Sequence, residues 1–255
     1  MRNINLLVNN GINVNDSLDL LGDIDTYNDI LKDFFDEASE KLVKIDEYKN
    51  KNDMANYAIL VHSLKSDAKY LGFTKLAELA YNHEIESKNN NSIYVNEHYE
   101  ELINEANSII KLVNEYFNST ANEENNDIND NIKKSILIAD DSNIIRNIIE
   151  KMIGEQYKVI MAEDGMEAIN KINENSDNLI GIFLDLYMPN VNGFEVLKHL
   201  KENNMFNKIP VAIITGDDSK ETIYKAFDYP IVDVLAKPFN ENDVKRIITA
   251  MLNLK

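Results

Sequence analysis

The apolar pattern of this chain changes period once, and that change limits the fold more than any other feature. Up to about residue 118 apolar residues recur at helical spacing, proline is absent and glycine is sparse. From residue 135 onward, short runs rich in branched residues (SILIA, KVIMA, IGIFL, VAIIT, VDVLA) alternate with helical segments. Between them Asn118–Asn131 reads NSTANEENNDINDN, polar and acidic with one large apolar residue, Ile128. Such a segment buries too little to fold and reads as a linker. The expected division is a domain over 1–118, an acidic linker over 119–132 and a second domain over 133–255.

The first domain reads as four amphipathic helices. Residues 25–48 place Tyr27, Ile30, Leu31, Phe34, Phe35, Ala38, Leu42 and Ile45 on one stripe. Residues 53–70 do the same with Tyr57, Val61, Leu64 and Ala68. Thr74 is the expected N-cap of a helix running to Lys88. Residues 93–117 form the fourth helix, and the first twenty residues a shorter one over one end. Short joints predict an antiparallel all-α four-helix bundle. In the second domain five strands alternate with helices starting near Asn143, Asp164, Gly193, Ser219 and Asn240. That alternation predicts an α/β doubly wound, five-stranded parallel sheet.

Composition narrows the function classes. The net charge is −18, with 26 basic against 44 acidic side chains. The domains and linker carry −10, −4 and −4 in chain order. So acidic a chain lacks the basic face that displaces counterions from nucleic acid and that attracts anionic lipid. Neither nucleic acid nor a membrane is an expected partner. There is no cysteine, which removes disulfides, thiolate metal sites and cysteine nucleophiles. The N-terminus MRNINLLVNNGINVN has no apolar core before a cleavage site, so the cytoplasm is the expected location. Composition sets no oligomeric state.

In a doubly wound sheet the site lies beyond the carboxyl ends of the strands. Asp140 and Asp141 follow the first run there, Asp185 the third, Thr215 ends the fourth and Lys237 follows the fifth. Three carboxylates crowded together repel and need a cation. Hard oxygen ligands suit Mg²⁺. Lys237 adds a point charge and Thr215 a small donor, which together describe a cradle for a phosphoryl group on a carboxylate. Any one of these acids alone would read as a helix cap.

This set resembles the receiver domain of response regulators, with a flavodoxin-like fold, over about residues 133–255. The resemblance implies that Asp185, in LDLYMPNVNG, accepts the phosphoryl group. It implies that Asp140, Asp141 and Asp185 with the Tyr187 carbonyl bind Mg²⁺. It also implies that Thr215 and Lys237 contact the phosphoryl oxygens and that the Lys237–Pro238 bond is cis. Receivers often carry an aromatic switch residue three positions before the lysine; here Val234 has no ring to swing. An aspartyl phosphatase is disfavoured because Tyr187 stands where its second aspartate would be.

In the first domain, residues 61–73 read VHSLKSDAKYLGF. His62, Lys65, Ser66 and Lys69 fall at i, i+3, i+4 and i+7, on one helix face. Val61, Leu64, Ala68 and Leu71 take another, so His62 is expected to project to solvent beside two lysines and a small hydroxyl. Such surroundings suit a phosphohistidine. The pattern resembles the histidine phosphotransfer (HPt) domain, whose motif His-x-Leu-Lys-Gly, then Leu-Gly, appears as His62-Ser63-Leu64-Lys65-Ser66, then Leu71-Gly72. Ser66 replaces the glycine.

The combined expectation is a two-component phosphorelay protein that exchanges phosphoryl groups between His62 and receiver aspartates. It is not an ATP-dependent kinase, although the receiver promotes its own phosphorylation. Its expected partners are a histidine kinase or other receiver and HPt proteins. The alternative is a phosphorylation-controlled interaction module whose helical domain only docks or dimerises. A DNA-binding regulator is disfavoured by the acidic charge.

Overall fold

The computed structural model describes residues 4–118, 134–216 and 220–254. It divides into two compact units, Met1–Asp130 and Asn131–Lys255. The expected linker, 119–132, lies outside the described residues.

The first unit opens with two short helices rather than the single one expected: α1 (Asn5–Asn9) and α2 (Val14–Leu21). Gly11, at φ 83, turns the chain between them. Four long helices follow: α3 (Ile24–Asn50), α4 (Met54–Tyr70), α5 (Thr74–Lys88) and α6 (Ser92–Asn118). Capping aspartates start two of them. Asp23 accepts from the amides of Asp25 and Thr26, and Asp53 from that of Asn56. The start of α5 corrects the sequence reading. Thr74 is its first residue, and Phe73 holds the cap position with no side-chain hydrogen bond. Burial fixes this start: Phe73 is 1% exposed and packs on Phe34, ring centroids 5.2 Å apart.

The apolar stripes form the bundle core, with Tyr27, Ile30, Tyr57, Val61, Leu64, Leu76, Val95, Leu102 and Tyr116 all buried. The large polar side chains in it are paired. The Tyr27 hydroxyl donates to the Leu71 carbonyl at 3.3 Å, and the Tyr116 hydroxyl to Asn28 Oδ1 at 2.7 Å.

Gly72 explains the glycine of the motif. It follows α4 at φ 73, and a Cβ there would lie 2.3 Å from the Asn13 carbonyl oxygen. The Asn13 amide also donates to the Gly72 carbonyl at 3.0 Å. Only a residue without a side chain ends α4 while letting the start of α2 approach this closely.

The second unit is a five-stranded parallel sheet in the order β2-β1-β3-β4-β5. Its strands are β1 (Ser135–Ala139), β2 (Lys158–Ala162), β3 (Leu179–Asp185), β4 (Val211–Thr215) and β5 (Asp233–Ala236). The helices are α7 (Asn143–Ile153), α8 (Gly165–Asn175), α9 (Gly193–Glu202), α10 (Lys220–Ala226) and α11 (Glu241–Asn253). β1, β3 and β4 are buried along their whole length, as continuous apolar runs in a two-sided sheet require. Asn192 with Glu195, and Asn240 with Asp243, form capping boxes that start α9 and α11. The strand order reverses between β1 and β3, and the crevice at their carboxyl ends is where such sheets bind ligands.

On α7, Ile144, Ile145, Ile148, Ile149 and Ile153 are all buried. With Met152 these residues make a stripe wider than one buried face needs, half of it expected either to dock a helical partner or to widen the core; the structure buries all five isoleucines and half-buries Met152.

Candidate functional site

The fold brings the predicted acids together. Asp140 and Asp141 follow β1 and Asp185 ends β3, and one oxygen from each lies within 4.8 Å of the others. Asp140 and Asp185 are fully buried. Asp140 Oδ1 accepts the Ser142 amide at 3.0 Å, which turns the chain into α7. The Arg146 guanidinium, one turn into α7, donates to the Asp140 carbonyl. Asp185 Oδ1 accepts the Tyr187 amide at 2.9 Å. Gly193, at the start of α9, sits against this strand end. A Cβ there would lie 2.2 Å from the Asp185 carbonyl oxygen.

Lys237 follows β5, and its peptide bond to Pro238 is cis. Its ammonium contacts Asp140 Oδ2 at 2.7 Å and pairs with Asp185 Oδ2. Thr215 is buried at the end of β4, beside Ala236 of β5. One ammonium therefore faces three carboxylates, and the cluster is negative as it stands. Burial, together with Asp185 and Asp141, pushes the Asp140 carboxyl up to about 8, against the pull of Lys237. Burial works against the Lys237 charge, yet Asp140, Asp185 and Asp141 together hold it above the usual lysine range. Convergent hard oxygens with surplus negative charge fit Mg²⁺.

The histidine of the first unit departs from expectation. His62 is 1% exposed and does not project to solvent. Lys65 and Ser66 are buried with it, and only Lys69 of the predicted group is exposed. The cause is a network of ion pairs and hydrogen bonds that draws these polar groups inward. His62 Nδ1 lies 2.6 Å from Glu84 Oε1 on α5, and Lys65 Nζ lies 2.6 Å from Glu84 Oε2. Lys88 Nζ reaches Glu84 Oε1 at 2.8 Å. The Ser66 hydroxyl is donated to the His62 carbonyl at 3.2 Å, within its own helix. A second, partly buried pair, Lys41 with Asp67, has Lys41 also donating to Ser63 at 3.0 Å.

Glu84 was not among the predicted site residues. Its signal is its place four residues after Ala80, in line with the buried stripe of α5. Burial alone would raise its pKa, but His62, Lys65 and Lys88 outweigh it and hold Glu84 well below the usual carboxylate range. An ionised Glu84 accepts a hydrogen bond from Nδ1. That assigns a proton to Nδ1. Burial pulls Lys65 below the ordinary lysine value, and Glu84 opposes that pull.

Both units match known families. Residues 136–249 match the family model of the response regulator receiver domain, and residues 29–111 that of the Hpt domain. Among curated relatives, the probable transcriptional regulator ycf29 of Pyropia yezoensis is 33% identical over 119 residues, 47% of this chain. The match spans about half of that relative, 53%. Chemotaxis protein CheY1 of Helicobacter pylori is 29% identical over 46% of this chain and 95% of its own length. Among solved structures, a Francisella response regulator receiver domain is 31% identical. It covers 48% of this chain and 99% of its own, at a TM-score of 0.43.

Proposed function

We propose that this two-component phosphorelay protein, an Hpt domain joined to a receiver domain, carries phosphoryl groups on His62 Nε2 and on Asp185. The observation that carries the reading is the buried pairing of Asp185 with Lys237, beside Asp140 and Asp141 at the strand ends. Asp140, Asp141, Asp185 and the Tyr187 carbonyl would hold Mg²⁺, whose chemistry is to offset charge on the transferring phosphoryl oxygens. The chain's own residues do the rest. A carboxylate oxygen of Asp185 attacks phosphorus in line, and the bond from phosphorus to an imidazole nitrogen breaks. The electron pair returns to that nitrogen. Lys237 moves from the resting carboxylate to a phosphoryl oxygen, and the Thr215 hydroxyl donates to another.

At the other end, Glu84 keeps the proton on Nδ1 and steadies the positive charge that the ring gains when Nε2 is phosphorylated. With His62 1% exposed, a partner reaches Nε2 only when the cover over the ring parts. The donors and acceptors of this chemistry are histidine kinases and other receiver or Hpt proteins. The receiver promotes its own phosphorylation, no ATP-dependent kinase step is assigned to the chain, and its place is the cytoplasm.

The burial of His62 favours a second reading, in which the imidazole is a structural member of the Glu84 network and the bundle only docks. One experiment separates them. The chain is mixed with labelled, phosphorylated histidine kinases from its source genome, and label is followed on wild type, His62→Gln and Asp185→Asn. Phosphorelay predicts loss of the acid-labile fraction in the first variant and of the alkali-labile fraction in the second. Labelling unaltered by either substitution overturns the proposal; unaltered labelling in His62→Gln alone favours docking.

A further inference from the structure

Tyr187 is bound at both ends. Its amide donates to Asp185 Oδ1 at 2.9 Å, and its hydroxyl lies 2.9 Å from the Thr222 hydroxyl on α10. Its ring packs half-buried against the sheet core that also receives Val234, Tyr229 and Ile231. One residue therefore spans from the carboxylate read above as phosphoacceptor to a helix 35 positions further along the chain.

α10 is suited to respond. It has seven residues, and among those whose side chains are described only Thr222 and Ala226 are buried. A helix with so small an inward face is held weakly and opens locally at low free energy. One of its two inward side chains is the Tyr187 partner. Its outward side carries Tyr224, 70% exposed, and Phe227 follows its last residue, 55% exposed and about one turn from Tyr224. Val234, the site of the missing aromatic switch, is a branched aliphatic that cannot swap a ring between two positions.

We propose that Tyr187, held at the Asp185 carboxylate by its backbone amide and at Thr222 by its side-chain hydroxyl, is a strut to α10, so that occupancy of Asp185 repositions the Tyr224–Phe227 face. The proposal rests on Asp185 being the phosphoacceptor. A group bound to Asp185 takes the carboxylate oxygen that accepts the Tyr187 amide. The backbone at 186–187 shifts, the hydroxyl is drawn from Thr222, and α10 loses a buried anchor.

The test uses the full chain with Mg²⁺ and beryllofluoride, which forms a tetrahedral adduct on an aspartate. The adduct is monitored by fluorine NMR, and α10 by amide hydrogen exchange. In wild type the adduct changes exchange over 221–227 by about fivefold, the equilibrium factor of one hydrogen bond. In Thr222→Val, which removes the hydroxyl that Tyr187 meets, the adduct still forms. There α10 exchanges about fivefold faster from the outset and responds no further. A bond with only a structural role would raise that baseline and leave the response to beryllofluoride intact, and that result in Thr222→Val overturns the strut. Failure of the adduct to form in wild type instead overturns the acceptor reading, and the strut with it.

Discussion

Glu84 meets His62 Nδ1, Lys65 Nζ and Lys88 Nζ at 2.6, 2.6 and 2.8 Å, with its own side chain 4% exposed. Removing one member of a buried ionic group leaves uncompensated charge, which costs far more than the net value of the pairing. Glu84→Ala is therefore expected to destabilise the bundle by about 3–5 kcal/mol, read as a lowered urea midpoint by helix circular dichroism. The same network links stability to pH. The folded pKa of Glu84 lies below its ordinary value of 4.5. Its contribution is thus fully present above 4.5 and is lost as pH falls through the folded value. The urea midpoint should drop with acidification below pH 4.5, and part of that drop should disappear in Glu84→Ala. An equal acid response in both proteins would contradict the lowered pKa of Glu84.

Among the helices, the joint after α4 carries the sharpest constraint. Gly72 has a positive φ and meets the Asn13 carbonyl where a Cβ would be, so Gly72→Ala adds backbone strain to a clash. A loss of more than about 1 kcal/mol is expected, with early loss of hydrogen-exchange protection in α1 and α2. The α5–α6 contact carries a second expectation. His83 Nδ1 lies 2.7 Å from the Tyr57 hydroxyl, and Nε2 lies 3.3 Å from the His98 carbonyl. Burial lowers its pKa from the ordinary 6.5, and the His98 carbonyl opposes that shift. A histidine kept neutral by folding stabilises above 6.5 and loses that contribution as pH falls through its folded value. Imidazole proton NMR should give a His83 midpoint below 6.5.

These elements also show what a sequence can reveal. The four long helices were legible because their stripes face one core. The strand-end acids were legible because a parallel sheet puts every strand's carboxyl end on one rim. The burial of His62, Lys65 and Ser66 was not. Polarity predicts solvent exposure only where no partner is available, and the partner, Glu84, sits 22 residues away on another helix. Thr74 failed as a cap for a related reason: the burial of Phe73 set the start of α5.

At the scale of the whole molecule, the charge of −18 separates into a strongly acidic bundle and linker and a mildly acidic second domain. In the second domain, Asp140, Asp141 and Asp185 converge on one site. The two proposed phosphoryl carriers differ in chemistry, an imidazole and a carboxylate, and each has a buried lysine beside it. Each phosphorylated form has its own chemical signature. The most direct measurement is phosphorus NMR of the full chain after loading by a phosphorylated histidine kinase in the presence of Mg²⁺. The account predicts an acyl phosphate resonance that disappears in Asp185→Asn and an Nε2-phosphoimidazole resonance that disappears in His62→Gln. A phosphoryl resonance that survives both substitutions unchanged would contradict it.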